Sequence, residues 1–299
     1  MHIHNKHLIQ LLLSFVIGII ILTGCKKENP NNLPSVSPKD FVGKIEGFES
    51  SGQVASDQLI AYWGFNGSEA ESISGKLPTS ASNDSYIDKG VIGKALSLNN
   101  GYLYYASQIP AFDTTLKSFT ISEWVQIQNN GSTPTMTFSL ANPGQLWPDI
   151  AFLLETGWYS ASDTNDLIVH PSYADVNGGR QDNMNASWLS SYKSPTIPPG
   201  KWTHLVVTFD NASSTIQLWA NGIKIGTPDW QSRGNGFFKP IVPNEVIIGG
   251  WYNNIPGKRL TTDPSTVPLM GKIDEIRVYK SALGDADIKA LYKLGVAGK

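Results

Sequence analysis

The sequence has little cysteine and little histidine, and this scarcity excludes several kinds of chemistry. Cys25 is the single cysteine in 299 residues, and three of the five histidines fall within the first seven positions. One thiol cannot form a disulfide framework. His170 and His204, without a second thiol, cannot fill the usual ligand sets of a zinc site. We therefore expect neither disulfides nor zinc chemistry.

The chain also lacks a strong charge of either sign. It has 23 Lys and Arg against 25 Asp and Glu. Loss of residues 1–24 would remove one lysine and leave 22 basic against 25 acidic residues, a net charge of −3. Nucleic-acid binding requires a basic surface. We therefore expect no nucleic-acid partner.

Only one long apolar run occurs, from Leu8 to Leu22. As a helix this run would span about 23 Å, which is less than the ~30 Å hydrocarbon core of a bilayer. It is therefore predicted to be the core of a signal peptide covering residues 1–24. The run ends in Leu22-Thr23-Gly24-Cys25, which resembles the lipobox of bacterial lipoproteins. That resemblance implies cleavage before Cys25 and its lipidation; an ordinary secretory signal with a chance cysteine is the alternative.

Residues 25–56 are predicted to form the lipidated cysteine and a flexible tether, because they are rich in Pro, Asn and Ser. Acyl chains on Cys25 would be the only part of the protein in contact with the membrane. Each buried methylene of such a chain contributes ~0.8 kcal/mol to membrane binding. No aspartate follows Cys25, and Lys26-Lys27-Glu28 resembles surface-export signals of some Gram-negative lipoproteins. We expect an outer-membrane lipoprotein that is exposed at the cell surface.

Residues 57–299 are predicted to form one all-β domain. Short β-branched and aromatic runs recur between turn signals, and Asn221-Gly222 predicts a two-residue hairpin turn. Helical periodicity is rare, and the one good helix is "GDADIKALYK", which Gly284 can cap. The pattern predicts a two-sheet antiparallel jelly roll with a short C-terminal helix.

Six segments, in their order and spacing, resemble laminin-G-like domains of the concanavalin A-like lectin/glucanase superfamily. They are "LIAYWGFNG", "GVIGKALSLNNGYLYY", "SFTISEWVQI", "KWTHLVVTFDNASSTIQLWANGIKIG", "VIIGG" and "GKIDEIRVYKSALGDADIKALY". The resemblance covers about residues 57–299 and implies a jelly roll of a kind often attached to carbohydrate-handling proteins. It does not imply one activity.

His204 lies at a position that the family pattern assigns to the scaffold. With the period of two of a strand, Trp202, His204 and Val206 share one face, so the imidazole has apolar neighbours. The chain offers it no cysteine to activate, and His170 falls on a different predicted strand. We therefore predict a structural rather than a catalytic histidine.

Asp274 is a candidate calcium ligand. It is predicted to share a strand face with Ile276 and Val278, which look core-facing, and an inward acid must accept hydrogen bonds or bind a cation. Because laminin-G-like domains often hold calcium, the resemblance implies a structural Ca²⁺ near Asp274 and the "NGSEAES" loop. A carboxylate that accepts loop N–H bonds is an equal alternative.

Tryptophan gives the clearest functional signal. Five of the nine tryptophans lie outside the family motifs, in segments rich in Gly, Pro, Asn and Ser: Trp147, Trp158, Trp188, Trp230 and Trp251. An indole face fits the C–H face of a pyranose, while Asn and Asp bind its hydroxyls. We predict that two or more of these rings, with Tyr252 beside them, form a glycan site, and that Trp158 and Trp188 pair. Packing at the ends of the sandwich is the alternative for each ring.

These observations predict a non-catalytic, lipid-anchored cell-envelope protein that binds glycans. An adhesin or assembly partner that binds protein through the same loops is one alternative. The other is a glycoside-active enzyme, because glucanases share this fold. Such an enzyme needs two carboxylates ~5–9 Å apart. No strand segment shows that pattern of acids, so no catalytic residue is assigned and only a pair gathered from distant loops stays open.

Overall fold

A computed structural model of the protein describes residues 43–189 and 192–299. The predicted signal peptide and Cys25 lie outside the described residues. The described elements are β1 (Leu59–Trp63), β2 (Ser80–Ile87), β3 (Ala95–Tyr105), β4 (Phe119–Gln126), β5 (Thr135–Ala141), β6 (Ile150–Leu154), β7 (Ser172–Ala174), β8 (Arg180–Asp182), β9 (Thr203–Asp210), β10 (Thr215–Ala220), β11 (Ile223–Lys224), β12 (Glu245–Ile248), β13 (Leu269–Tyr279) and helix α1 (Asp285–Val296).

The strands form one antiparallel, hydrogen-bonded sheet that curls over on itself. Its order is β11-β10-β9-β4-β13-β3-β12-β5-β6-β7-β8, with β1 added to β13 and β2 to β3. Tyr173 of β7 contacts Phe119 of β4 and Phe209 of β9, with ring centroids 6.3 and 4.4 Å apart. The two ends of the sheet therefore face each other across one apolar core. This architecture confirms the predicted all-β jelly roll.

The turn between β10 and β11 forms where its sequence predicts. Asn221 and Gly222 have φ values of 51° and 74°, as a two-residue hairpin turn of this kind requires. Ala220 pairs with Ile223, and Trp219 pairs with Lys224. The predicted hairpin and its register are confirmed.

The C-terminal helix covers the outer face of β9 and β10. α1 follows Gly284 at its N-cap and packs Ile288 and Leu291 against Val206 and Trp219. It has 12 residues, and in the described ranges no helix combines the length and apolar character needed to cross a bilayer.

Residues 43–56 belong to the folded unit, whereas their composition predicts a tether. Val54 is buried in the same apolar cluster as α1. The Ser51 amide donates to the Lys299 carbonyl at 3.1 Å, and Arg277 Nη2 donates to Ser51 Oγ at 2.9 Å. The tether prediction is wrong for this stretch because its apolar residues pack on the α1 cluster and the two hydrogen bonds of Ser51 fasten it to the domain.

The segment that contains Trp251 and Tyr252 covers a second part of the outer face of the sheet. Trp251 packs on Met136 and Leu153, and Tyr252 packs on Ile247, so this segment covers the outer face of β5, β6 and β12. Burial on both faces explains why every residue of β5 and β6 is buried. The loops beyond the strand ends carry the exposed aromatic residues described below.

Candidate functional site

His204 is enclosed beneath α1. It is fully buried, its Nε2 shares a 2.8 Å hydrogen bond with Ser122 Oγ, and its ring centroid lies 4.9 Å from that of Trp124. Burial, helped by the charge of Arg277, lowers the pKa of His204 to about 3. A neutral imidazole without solvent contact favours the structural role.

The strand face of Asp274 differs from the prediction. The register between β13 and β4 shifts after Asp274, where Glu275 has a φ of 53°. This bulge lets Ile273 and Ile276 both enter the core, so Asp274, which adjoins Ile273, lies on the opposite face. The prediction that Asp274 shares the core face of Ile276 is therefore wrong.

The surroundings of Asp274 fit a hydrogen-bonded carboxylate better than a cation ligand. The amides of Val91 and Ile92 donate to Oδ2 at 2.7 and 3.3 Å, and the Glu275 amide donates to Oδ1 at 2.9 Å. Burial, together with the charge of Glu275, raises the pKa of Asp274 to about 7. Calcium needs oxygen ligands rather than N–H donors around it. Within the described ranges, no group of three His, Cys, Asp or Glu side chains is placed so that it could hold a metal ion.

The five off-motif tryptophans differ sharply in exposure. Trp158, Trp188 and Trp147 are 57%, 54% and 43% exposed, whereas Trp251 is 3% exposed. Tyr252 is also buried, at 5%. Trp230 is half-buried against the cluster of Ile168, Met184 and Ala186.

Trp147 and Trp251 form an edge-to-face pair with centroids 5.0 Å apart. The Arg180 guanidinium carbon lies 5.1 Å from the Trp147 ring centre. Arg180 also donates to the Pro148 carbonyl at 2.8 Å, which holds it in place. Trp251 and Tyr252 are buried because both rings pack on the sheet. This burial is inconsistent with the predicted ligand role of either residue.

Trp158 and Trp188 come together as the sequence predicts. Their ring centroids are 4.7 Å apart at an interplanar angle of 44°. Next to Trp158, the hydroxyls of Tyr159 and Tyr192 lie 3.1 Å apart, and Tyr192 donates to Asp166 Oδ1 at 2.7 Å. We call Trp158 and Trp188 the rim pair. These two large rings, each more than half exposed, form an apolar surface that is open to solvent.

A half-buried charge cluster around His170 is the main feature that sequence reasoning missed. His170 Nδ1 lies 2.8 Å from Glu155 Oε1, and Nε2 lies 2.9 Å from Asp182 Oδ2. Burial lowers the pKa of His170, but hydrogen bonds to Asp182 and Glu155 outweigh it and raise the pKa to about 9. The imidazolium therefore donates to both carboxylates. The three residues come from separate segments, so no spacing signals the cluster.

A laminin G family model of the concanavalin A-like lectin/glucanases superfamily matches residues 99–289. The chain belongs to this superfamily. The sequence matches no curated protein.

Two solved structures illustrate how far the fold extends. Domain 4 of AbnA, a GH43 extracellular arabinanase from Geobacillus stearothermophilus, was solved in complex with arabinotriose; it has a TM-score of 0.51 and 22% identity, over 78% of this chain and 98% of that one. The binding domain of botulinum neurotoxin serotype G has a TM-score of 0.53 and 14% identity, over 79% of this chain and 51% of that one. At these identities the likeness shows the fold alone.

Proposed function

We propose that this protein is a non-catalytic glycan-binding protein, and that the rim pair of Trp158 and Trp188 is its sugar platform. The observation that carries the proposal is the contact of two indoles at 4.7 Å while each stays more than half exposed. An exposed aromatic patch rimmed by polar residues often marks a binding site. The arabinotriose complex of the arabinanase domain supports the proposal, because a domain of the same fold was solved with a sugar bound.

Affinity electrophoresis in gels containing arabinan, xylan, mannan or β-glucan tests the proposal, followed by isothermal titration with the polysaccharide that retards the protein. We expect Trp158→Ala and Trp188→Ala each to weaken binding by about ten- to a hundredfold. Trp147→Ala is the matched control, since Trp147 is also exposed but lies outside the rim pair. Equal losses in all three variants would contradict the platform, and a protein ligand recovered by pull-down with no polysaccharide binding would favour an adhesin instead.

The proposal includes no hydrolysis. Glu155 and Asp182 are two carboxylates gathered from distant segments, but the imidazolium of His170 lies between them and is hydrogen-bonded to both. A general acid and a nucleophile need free access to the glycosidic bond. We therefore expect no release of reducing sugar from a bound polysaccharide. Release that disappears in Glu155→Gln would support an enzyme.

We further propose that acyl chains on Cys25 anchor the protein to the outer membrane, with the domain at the cell surface. Support comes from the lipobox-like Leu22-Thr23-Gly24-Cys25 alone. Metabolic labelling with palmitate and membrane fractionation test it. Cys25→Ser is expected to lose both the label and the membrane association, and a variant that keeps both would refute the anchor.

A further inference from the structure

A cleft lined by amide side chains lies at the end of β4 and the start of β13. It consists of two adjoining hollows of about 390 and 370 Å³, which share Gln128 and Met270. Its amide residues are Asn99, Asn100, Gln126, Gln128, Asn129 and Asn130. Lys272 is the charged residue in this lining, and its Nζ donates to Gln126 Oε1 at 2.8 Å. The cleft therefore combines amide groups with a largely apolar lining and carries almost no charge.

The backbone fixes two of these amides so that their oxygens remain as acceptors. Gln128 Nε2 donates to the carbonyls of Ile127 and Ile197 at 2.8 and 2.6 Å. Asn129 Nδ2 donates to the carbonyls of Asp163 and Asp166 at 3.1 and 2.7 Å. Asn129 is 3% exposed, and its Oδ1 has no hydrogen-bond partner among the described residues. That oxygen has no contact with solvent, so it is the Oε1 of half-buried Gln128 that is left to accept from a ligand hydroxyl.

The cleft is joined to the rim pair through the backbone. The amides of Asn130 and Gly131 both donate to the Thr156 carbonyl, at 2.8 and 3.3 Å. Trp158 is two residues further along, so its Cα lies within about 8 Å of the Thr156 Cα. The loop that forms one wall of the cleft therefore rests on the loop that presents the platform.

An apolar side chain completes the chemistry of the cleft. Met270 lines both hollows and is 61% exposed. Amide groups accept from and donate to hydroxyls, while a thioether offers apolar surface to C–H groups. This combination matches the alternating hydroxyl and C–H surfaces of a sugar. Apart from Lys272, whose Nζ donates to Gln126 Oε1, the lining has no charged side chain that would select a charged ligand.

We propose that this amide cleft continues the rim pair as one binding track, so that the ligand is a neutral oligosaccharide chain rather than a single sugar. This inference rests on the proposed function and deepens it. The rim pair stacks one part of the chain, and Gln128 and Met270 hold the units beyond it.

Isothermal titration of the full-length protein with arabino-, xylo- and cello-oligosaccharides of one to six units tests the track. We expect the affinity of wild type for the series that binds to rise at least about tenfold from the shortest to the longest member. The double variant Gln128→Ala/Met270→Ala should lose this rise but keep wild-type affinity for the shortest member that binds. Trp158→Ala should weaken every length. Gln145→Ala, an exposed amide outside the cleft, is the matched control.

The outcomes separate the cleft from the platform. Binding without length dependence, or a rise that the double variant keeps, overturns the cleft and leaves the rim pair as the whole site. Failure of every series to bind contradicts both proposals. Because Gln128 also bonds to the backbone, Asn99→Ala provides a second cleft variant that removes no described side-chain hydrogen bond, and it should reduce the rise with length. Thermal melts confirm that each variant is folded.

Discussion

Two pairs of tryptophans arise from similar loop sequences and end in opposite environments. In the rim pair both rings are more than half exposed. In the pair of Trp147 and Trp251, one ring is 43% exposed and the other 3%. Both pairs have centroids about 5 Å apart, so ring contact alone does not decide which pair is available to a ligand.

What lies beneath the rings accounts for the difference. Trp251 rests on Met136, Ala151 and Leu153, an apolar patch on the outer face of the sheet. Tyr159 and Leu189, the chain neighbours of the two rim rings, pack on Ile168, Met184 and Ala186, so these two residues and not the rim rings cover the apolar patch there. An indole is buried where it covers an apolar patch itself, and it stays exposed where neighbouring side chains already cover that patch.

The largest expected effect is the loss of the buried ring. Trp251→Ala should lower the free energy of unfolding by about 3–5 kcal/mol, because it leaves a cavity over β5 and β6. Urea unfolding followed by circular dichroism measures this change. The folded fraction should keep wild-type affinity for the polysaccharide. A variant of unchanged stability that has lost binding would reverse the assignment of the two pairs.

His204, which is enclosed under α1, makes the stability of the fold depend on pH. The pKa of His204 is lowered from 6.5 to about 3, so between these values the unfolded chain takes up a proton that the folded protein excludes. Stability from this group is therefore full above pH 6.5 and is lost as the pH falls toward 3. Between pH 7 and pH 5 the loss from this group should be about 2 kcal/mol.

Denaturant unfolding of wild type and His204→Gln at both pH values isolates that contribution. Other buried acids, such as Glu123, whose pKa burial raises to about 8, change stability in both proteins alike. The difference in free energy between wild type and variant should therefore shrink as the pH falls from 7 to 5. An unchanged difference would mean that His204 is not held neutral.

Substitutions in the rim pair should have the opposite effects on stability and affinity to those of Trp251→Ala. Because both rings are exposed, we expect Trp158→Ala and Trp188→Ala to change the free energy of unfolding by less than about 1 kcal/mol. Their effect should fall on affinity. Thermal melts beside titrations make the comparison, and destabilisation on the scale of Trp251→Ala would show that these rings also pack the fold.

The smallest expected effect is that of calcium, which should act on neither pair. The oxygens of Asp274 already accept three backbone N–H bonds. Melting temperatures with EDTA and with millimolar Ca²⁺ should therefore agree. A stabilisation that grows with Ca²⁺ concentration and disappears in Asp274→Asn would contradict this.

Local patterns predict most of the fold and half of the site. Most of the strands, the Asn221-Gly222 turn and α1 follow from period, turn residues and capping, but the short or less apolar strands β2, β5, β7 and β8 do not. The pairing of Trp158 with Trp188 follows from their loops. The face of Asp274 could not be predicted, because the bulge sits at Glu275, a residue that does not signal a positive φ.

Features that depend on contacts between residues far apart in the chain could not be predicted from the sequence either. The burial of Trp251 depends on Met136 and Leu153, more than ninety positions away. His170 meets Glu155 and Asp182 only once β6 and β8 are in place. The amides of the amide cleft come from β3, the end of β4 and the loop after it, which no periodic pattern connects.

The most direct test of the difference between the two pairs is a ¹H–¹⁵N spectrum of the tryptophan indole N–H groups. It is recorded while an oligosaccharide of the polysaccharide that retards the protein in the gel is added. With single Trp→Phe variants to assign the signals, the indole peaks of Trp158 and Trp188 should shift in proportion to occupancy, while that of Trp251 stays in place. Saturable binding that leaves the peaks of Trp158 and Trp188 unmoved would contradict the assignment of the rim pair as the glycan platform.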